Sequence, residues 1–173
     1  MMSRSVIRHE TSDDIAGIRR VNEAAFNRTG EADLVDALRS DGALTISAVT
    51  TIDDEIVAHL AISPVTIEAV RGSFPAHGLG PVCVAPEYQK QGMGSALIRW
   101  SLEQCRQAGH HVIVLLGNSN YYSRFGFVST SVHGIAGPFP VQLPGDFMVI
   151  ELSPSALTGH TGVIKYHSAF NSV

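Results

Sequence analysis

The chain has 173 residues, 45% of them hydrophobic and 16% charged, with a formal net charge of -4 at pH 7. That length supports one domain with a real core and is short for two typical ones, and the balance excludes a disordered chain. The acidic balance and the scatter of Lys and Arg exclude a duplex-binding surface and a polybasic membrane patch.

Cys83 and Cys105 are the only cysteines. They match no zinc spacing, offer one disulfide at most, and read as buried free thiols of a reducing cytosol. The opening MMSRSVIRHE turns charged before an apolar stretch can form, so it is not read as a secretory signal. The longest apolar run, residues 112–116, is far short of a membrane span. A cytoplasmic protein is expected.

Residues 5–9 read as a first strand. Thr11-Ser-Asp-Asp14 then offers capping side chains ahead of Ile15, Ile18, Val21 and Ala25, which recur at helical spacing. Gly30 is expected to break this helix, and residues 31–38 restart one with Ala32, Leu34, Val35 and Leu38 on one face. Residues 43–51 read as a strand, Asp53-Asp54 as a turn, and residues 55–64 as the hairpin partner. In that partner Ile56, Ala58, Leu60 and Ile62 alternate with Val57, His59 and Ala61. Both faces are apolar enough for a central strand, with His59 in a hydrogen-bonded core. Residues 67–70 extend or repeat the pairing.

Residues 78–84 form another strand, in which Pro81 removes one ladder bond, and Pro86 ends it. A helix follows from about 92 to 108, with Leu97, Ile98, Ser101, Leu102, Cys105 and Ala108 as its inner stripe and Gly109 as its stop. Residues 111–116 are a buried strand. Strand, helix, strand at this spacing is a βαβ unit, which favours two parallel strands. Pro138, Pro140 and Pro144 mark loops, and residues 146–152 a last core strand. The order is mixed α/β (α+β by some schemes): a hairpin region, then one parallel crossover. His110-His111 does not suggest a metal, because adjacent strand residues point to opposite faces; no metal is expected.

The stretch GPVCVAPEYQKQGMGS, residues 80–95, carries the chemistry. A strand runs out at Val84, a tight loop follows, and a helix opens with two glycines. Such a loop directs several backbone N–H groups at one point, and the helix adds its positive dipole end, which makes a phosphate site. Gly92 and Gly94 leave room for close approach, and Lys90 adds a point charge. The ATP loop GxxxxGK[ST] is absent, and the dinucleotide pattern GxGxxG fails at Leu97.

What the loop does match is Q-x-x-G-x-G, as Gln89-Lys-Gln-Gly92-Met-Gly94 preceded by V-x-P-E-Y. This resembles the acetyl-CoA motif of the GNAT N-acetyltransferases. The continuation through Asn118, Tyr121, Tyr122 and Phe125-Gly126-Phe127 resembles the family's second landmark, a tyrosine followed by Gly-Phe. The likeness extends to the YhbS-like branch of predicted acetyltransferases, whose ending is similar to Gly162-Val163, Tyr166-His167 and Phe170-Asn171 here. The resemblance covers nearly the whole chain. It implies a single GNAT-type domain over residues 1–173, with 153–173 as a C-terminal extension packed on it. The implied sheet is mixed and mostly antiparallel, with one splayed parallel pair flanked by helices.

The resemblance also implies roles. The backbone of Val82, Cys83 and Val84 pairs with the pantetheine arm as an added strand would. Gln89, Lys90, Gln91, Gly92, Met93, Gly94 and Ser95 wrap the pyrophosphate, and Asn118, Tyr121 and Phe125 complete the acetyl-CoA site. Tyr122 occupies the general-acid position. Glu31, Glu23 and His77 are the candidate bases. The implied reaction moves an acetyl group from acetyl-CoA to a primary amine of a small molecule or a protein by direct attack in a ternary complex. An acyl-CoA sensor without turnover and an enzyme using a larger acyl group are the alternatives. No nucleic-acid or membrane partner is expected; homodimers occur in the family, and no feature here requires one.

Overall fold

The computed structural model describes residues 4–141 and 145–173, so the loop expected at Pro144 lies outside the described residues. In chain order the elements are β1 (Ser5–His9), α1 (Ile15–Phe26), α2 (Gly30–Ser40), β2 (Ile46–Ile52), β3 (Glu55–Ala69), β4 (Gly72–Val84), α3 (Met93–Gln107), β5 (Val112–Asn118), α4 (Ser119–Tyr122), β6 (Val128–Ser129), β7 (Ile135–Ala136), β8 (Gly145–Glu151) and β9 (Gly162–Lys165). They fall into two compact units. The first holds the chain up to Ser63, Gly80–Glu103 and Ser168–Val173; the second holds Pro64–Leu79 and Gln104–His167.

In the first unit β1 runs antiparallel to β2 from Ser5↔Ile52 to His9↔Ala48, and β2 runs antiparallel to β3 from Ile46↔Ile62 to Ile52↔Glu55. Asp53 and Asp54 turn that hairpin with φ of 48° and 65°, the left-handed pair that a two-residue connection needs. Ile18 of α1 and Val35 of α2 bury against Val49 and Ala61 of the sheet. The start of α1 is fixed by Asp14, whose carboxylate accepts from the Thr11 N–H at 2.7 Å and from Arg8 at 2.6 Å.

Three local expectations are corrected here. Helix α1 is ended by Asn27, which takes the left-handed conformation at φ 53°, while Gly30 is the first residue of α2 and not a breaker. Asn tolerates that conformation better than most residues, so the stop did not need a glycine. Strand β2 begins at Ile46, because Ala43 is drawn into the apolar cluster of Leu34 and Leu38, where Phe170 also packs. Ala108 lies beyond the end of α3 and is exposed, whereas Leu97, Ile98, Ser101, Leu102 and Cys105 are buried as expected.

The second unit orders its strands β3, β4, β5, β8, β6. Parallel pairing of β4 with β5 is registered at His77↔Ile113 and Gly78↔Val114. Antiparallel pairing of β5 with β8 runs from Val112↔Glu151 to Asn118↔Gly145. Strand β9 pairs antiparallel with β3 at Thr66↔Lys165 and parallel with β7 at Ile135↔Gly162. The expected mixed, mostly antiparallel sheet with a parallel β4–β5 pair is therefore present, and the short β7–β9 pairing adds a second parallel pair that was not expected. Val65, Ile67, Val114, Phe147, Val149 and Ile164 form the core of this unit. β3 and β4 are longer than their apolar runs, and β4 continues through Pro81. Cys83 and Cys105 are free and buried. Among the described residues no helix is long and apolar enough to cross a membrane.

Candidate active site

The glycine loop lies in the first unit. After β4, Pro86–Tyr88 makes one tight turn. Gln89 Nε2 then donates to the carbonyl of Val84 at 3.0 Å, and Gln91 Nε2 donates to that of Glu87 at 3.2 Å. These two side chains hold the loop to the strand it leaves. Lys90 and Gly92 take positive φ, 60° and 85°. Ala96 N–H donates to the Gly92 carbonyl at 3.0 Å, so the helical ladder starts there. The earlier amides of the first turn have no carbonyl within the helix to bond, and the helix dipole is positive at this end. A side chain at Gly92 would meet no atom within 4 Å, so the loop faces open space and the glycine is needed for its φ. Main-chain donors at a helix start, with exposed Lys90 beside them, suit a diphosphate. Upstream, Cys83 turns inward onto Val21 and Phe26 while Val82 and Val84 are only half-buried. Burial pushes the Cys83 thiol up to about 12, which removes it as a nucleophile.

The tyrosines lie in the second unit. Asn118 caps the short helix α4, its Oδ1 accepting from the N–H of Asn120 at 2.9 Å and of Tyr121 at 3.3 Å. The cap fixes the direction of Tyr121 and Tyr122. Atoms Cε2 and Cδ2 of the Tyr122 ring stand against Gly117 of β5, where a Cβ would run into them. Its centroid is 6.0 Å from that of Phe127 and 5.0 Å from that of Tyr121. Burial pushes the Tyr122 phenol up to about 12, so it keeps its proton at any working pH. Phe125 is buried, and the Arg124 guanidinium sits 4.6 Å from the Tyr121 ring centre. His77 is half-buried with its ring 4.1 Å from that of His110; desolvation, with His110 adding to it, holds His77 down at about 4.

The acidic candidates belong to the first unit. Glu31 is buried, and Arg28 Nε donates to both its oxygens at 3.0 Å; that guanidinium holds the carboxyl below its ordinary range. Glu23 pairs with Arg19 at 2.9 Å. His59 is fully buried between Asn22 and Ser47, as expected of a core histidine. Among the described residues no group of three or more His, Cys, Asp or Glu could hold a metal ion.

Residues 6–129 match the family model described as an acetyltransferase (GNAT) domain. The chain belongs to the GNAT acetyltransferases. It is 34% identical over 167 residues to the uncharacterized N-acetyltransferase YhbS of Escherichia coli K12, covering 96% of this chain and 98% of that protein. The crystal structure of E. coli YhbS in complex with CoA shares its fold at a TM-score of 0.92 and 33% identity, over 99% of this chain and 94% of the other. A GNAT family acetyltransferase from Brucella melitensis, solved in complex with acetyl-CoA, gives a TM-score of 0.81 at 37% identity, over 98% and 99% of the two chains. This GNAT chain is thus an N-acetyltransferase by family, with the mixed sheet and parallel β4–β5 pair of that fold.

One residue of this GNAT chain was not singled out for the site by the sequence. Tyr166, just after β9, lays its ring on Gly78: Cε1 is 3.0 Å and Cδ1 3.5 Å from where a Cβ of Gly78 would stand. The Tyr166 ring is also 6.5 Å from that of Phe147. The Gly-Val to Tyr-His ending made the residue visible as a landmark. Only the pairing of β9 with β3 brings it to this strand.

Proposed function

We propose that this chain binds acetyl-CoA and transfers the acetyl group to a primary amine of a small molecule or a protein, by direct attack in a ternary complex. Residues 1–173 act as one N-acetyltransferase domain, with 153–173 as its C-terminal extension. The observation that carries the reading is the loop of Lys90 and Gly92, whose two left-handed residues turn the chain into the start of α3. The crystallised relatives carry CoA and acetyl-CoA, which supports the same donor here.

In this reading the amides of residues 90–95 take the diphosphate, and the backbone of Val82 to Val84 pairs with the pantetheine arm. Asn118, Tyr121 and Phe125 contact the arm from their own strand end. An ordinary alkylamine has a pKa near roughly 10.4, so a proton must leave it before attack. The amine nitrogen then bonds to the thioester carbonyl carbon, a main-chain N–H of β4 steadies the oxyanion, and the carbon–sulfur bond breaks. Tyr122 gives its proton to the departing thiolate, and the second proton that the acylated nitrogen must lose as the adduct collapses restores the phenol. Tyr122 holds its own proton until the moment of transfer because burial keeps its phenol neutral. Glu31 and His77 are both unprotonated at neutral pH, from the directions of their shifts, and either can accept the amine proton; Glu23 is the third candidate.

The test is thiol release from acetyl-CoA with purified protein and a panel of primary amines, alongside calorimetry with CoA alone. Transfer to any amine supports the enzyme. Tight binding of acetyl-CoA with no transfer to any acceptor would instead make the chain an acyl-CoA sensor. No heat with CoA, from folded protein, would remove the donor assignment altogether.

A further inference from the structure

Among the described residues Asp14 and Glu31 are the buried acids, and both belong to the first unit. Asp14 has a fixed part in the fold, at the start of α1. Glu31 has none of that kind: among the described residues, every hydrogen bond its carboxylate accepts from another residue comes from Arg28. The pair is lopsided. The Glu31 side chain is 8% exposed and that of Arg28 65%, whereas Arg39 and Glu10 lie equally deep, at 19% and 18%. A carboxylate taken out of water is costly unless a cation stays with it. A long side chain on the exposed turn of Asn27, Arg28 and Thr29 is a loose partner, since it gives up rotamer freedom to stay. Glu31 is therefore a buried anion closed by one side chain that solvent can draw away. The turn follows the end of α1 that lies on β4. Ala25 and Phe26 pack against the cluster of Val21, Cys83 and Ala85, as does Tyr88 from the loop after β4, and the rings of Phe26 and Tyr88 are only half-buried. The Glu31 charge reaches the same strand: burial comes first in raising the Cys83 thiol, and Glu31 adds to it.

We infer that Glu31 anchors a second positive charge on the acceptor, which is thus a primary amine carrying a further cation, and that Arg28 holds the place until the acceptor binds. This rests on the transferase reading above, in which the backbone of residues 82–84 takes the donor's arm. The amine that is acetylated cannot itself be the group on Glu31. A carboxylate beside an ammonium favours the charged form, and a protonated nitrogen has no lone pair to attack with. The charge on Glu31 must therefore belong to another nitrogen. The methylenes between the two can lie along the half-buried rings of Phe26 and Tyr88. The same pairing makes Glu31 a weak base. Arg28 holds its carboxyl below the ordinary range, an acceptor cation in its stead does the same, and a lower pKa means a smaller pull on a proton. The part of Glu31 is then to bind and place the acceptor.

The experiment is calorimetry of the full chain saturated with CoA and titrated with putrescine and cadaverine, against butylamine, pentylamine and δ-aminovalerate. These put a positive, a neutral or a negative group at the far end of chains of matching length. The wild type should bind the better diamine at least about tenfold more tightly than its monoamine, and δ-aminovalerate most weakly. Glu31→Gln should bring diamine and monoamine within about twofold. Arg28→Ala should tighten the diamine about three- to fivefold, because the exposed guanidinium no longer competes, and Arg28→Lys should match the wild type. A merely structural ion pair gives no such gain. In transfer assays the Glu31→Gln loss should fall on KM for the diamine. Equal affinity of the wild type for diamine and monoamine, a preference that survives Glu31→Gln, or an Arg28→Ala variant that binds the diamine no more tightly overturns the anchor and leaves the donor reading intact. A Glu31→Gln loss of kcat shared alike by every amine also overturns it and returns Glu31 to the part of base. Should Glu31→Gln fail to fold, Arg28→Ala and Arg28→Lys decide the matter. No heat with CoA from folded protein removes the donor reading and this inference together.

Discussion

The two units are tied together internally by different means. Beneath α1 and α2, the first unit threads a chain of directional hydrogen bonds through its core. Asn22 Nδ2 donates to the Ile18 carbonyl at 2.9 Å and faces His59 Nδ1 at 3.1 Å, so Nδ1 is the acceptor and His59 carries its proton on Nε2. Nε2 then donates to Ser47 Oγ at 2.9 Å, and the Ser47 hydroxyl donates to Glu10. Glu10 is held by Arg39 at 2.8 Å and 3.0 Å. Every link has one allowed direction. The second unit instead sets aromatic rings on bare backbone, Tyr166 on Gly78, Tyr122 on Gly117 and Phe147 on Gly137. Hydrogen bonds fix orientation and fail sharply when one partner goes. Ring-on-glycine contacts fix distance, and they fail when the glycine gains a methyl group.

The largest effect should come from cutting the polar chain. His59→Ala removes a fully buried side chain and strands Asn22 and Ser47, which should cost about 3 kcal/mol in denaturant unfolding. A loss under about 1 kcal/mol would mean the chain of bonds is dispensable. The same variant should flatten part of the wild type's pH dependence. Burial holds His59 at about 4, while an unfolded histidine takes its proton near 6.5. Stability therefore declines as pH falls from about 6.5 towards 4, where the unfolded chain binds the extra proton.

Next in size is the chemical step. Tyr122→Phe keeps the ring on Gly117 and loses only the proton donor, so kcat should fall about 100-fold, near 2.7 kcal/mol, with acetyl-CoA affinity unchanged. Full activity on a good amine would remove Tyr122 from the mechanism. A pair of glycine substitutions then sharpens the contrast. Gly117→Ala should destabilise the fold by about 2 kcal/mol, because the Tyr122 ring must move. Gly92→Ala meets open space and carries only the strain of its positive φ, about 1 kcal/mol, yet should weaken acetyl-CoA about tenfold by turning the loop amides. If Gly92→Ala lost more stability than affinity, the loop would be a structural turn and not a diphosphate cradle.

The smallest effect is electrostatic. The Arg8 guanidinium, with the Thr11 N–H, holds the Asp14 carboxyl at about 2 against an ordinary 3.8. Its contribution is present above the ordinary value and is lost as pH falls from about 4 through 2. Arg8 is 39% exposed, so solvent screening limits the contribution to about 1 kcal/mol. Asp14→Asn should lose that slope in acid titrations followed by circular dichroism; an unchanged slope would assign the acid transition to other carboxylates.

Much of this molecule was legible from local pattern, because helix and strand periods, turn residues and the strand–loop–helix arrangement act over a few residues. The alternation in residues 55–62, the Asp53-Asp54 turn, the stripe of α3 and the glycine loop are all read that way, and each sits where its neighbours along the chain put it. The same locality explains the misplaced stop at Gly30: a glycine is the usual signal, but an asparagine three residues earlier could adopt the needed conformation. Tertiary structure alone decided what depends on register and on packing between distant segments. The extra length of β3 and β4 accompanies antiparallel pairing of β3 with β9, about a hundred residues later in the chain. His59 finds Asn22 across 37 positions and Tyr166 finds Gly78 through that same β9 pairing. No periodicity in a single segment specifies which distant side chain will fill its gaps, since that is settled only when the strands choose their partners and one residue of slip would turn every side chain to the other face.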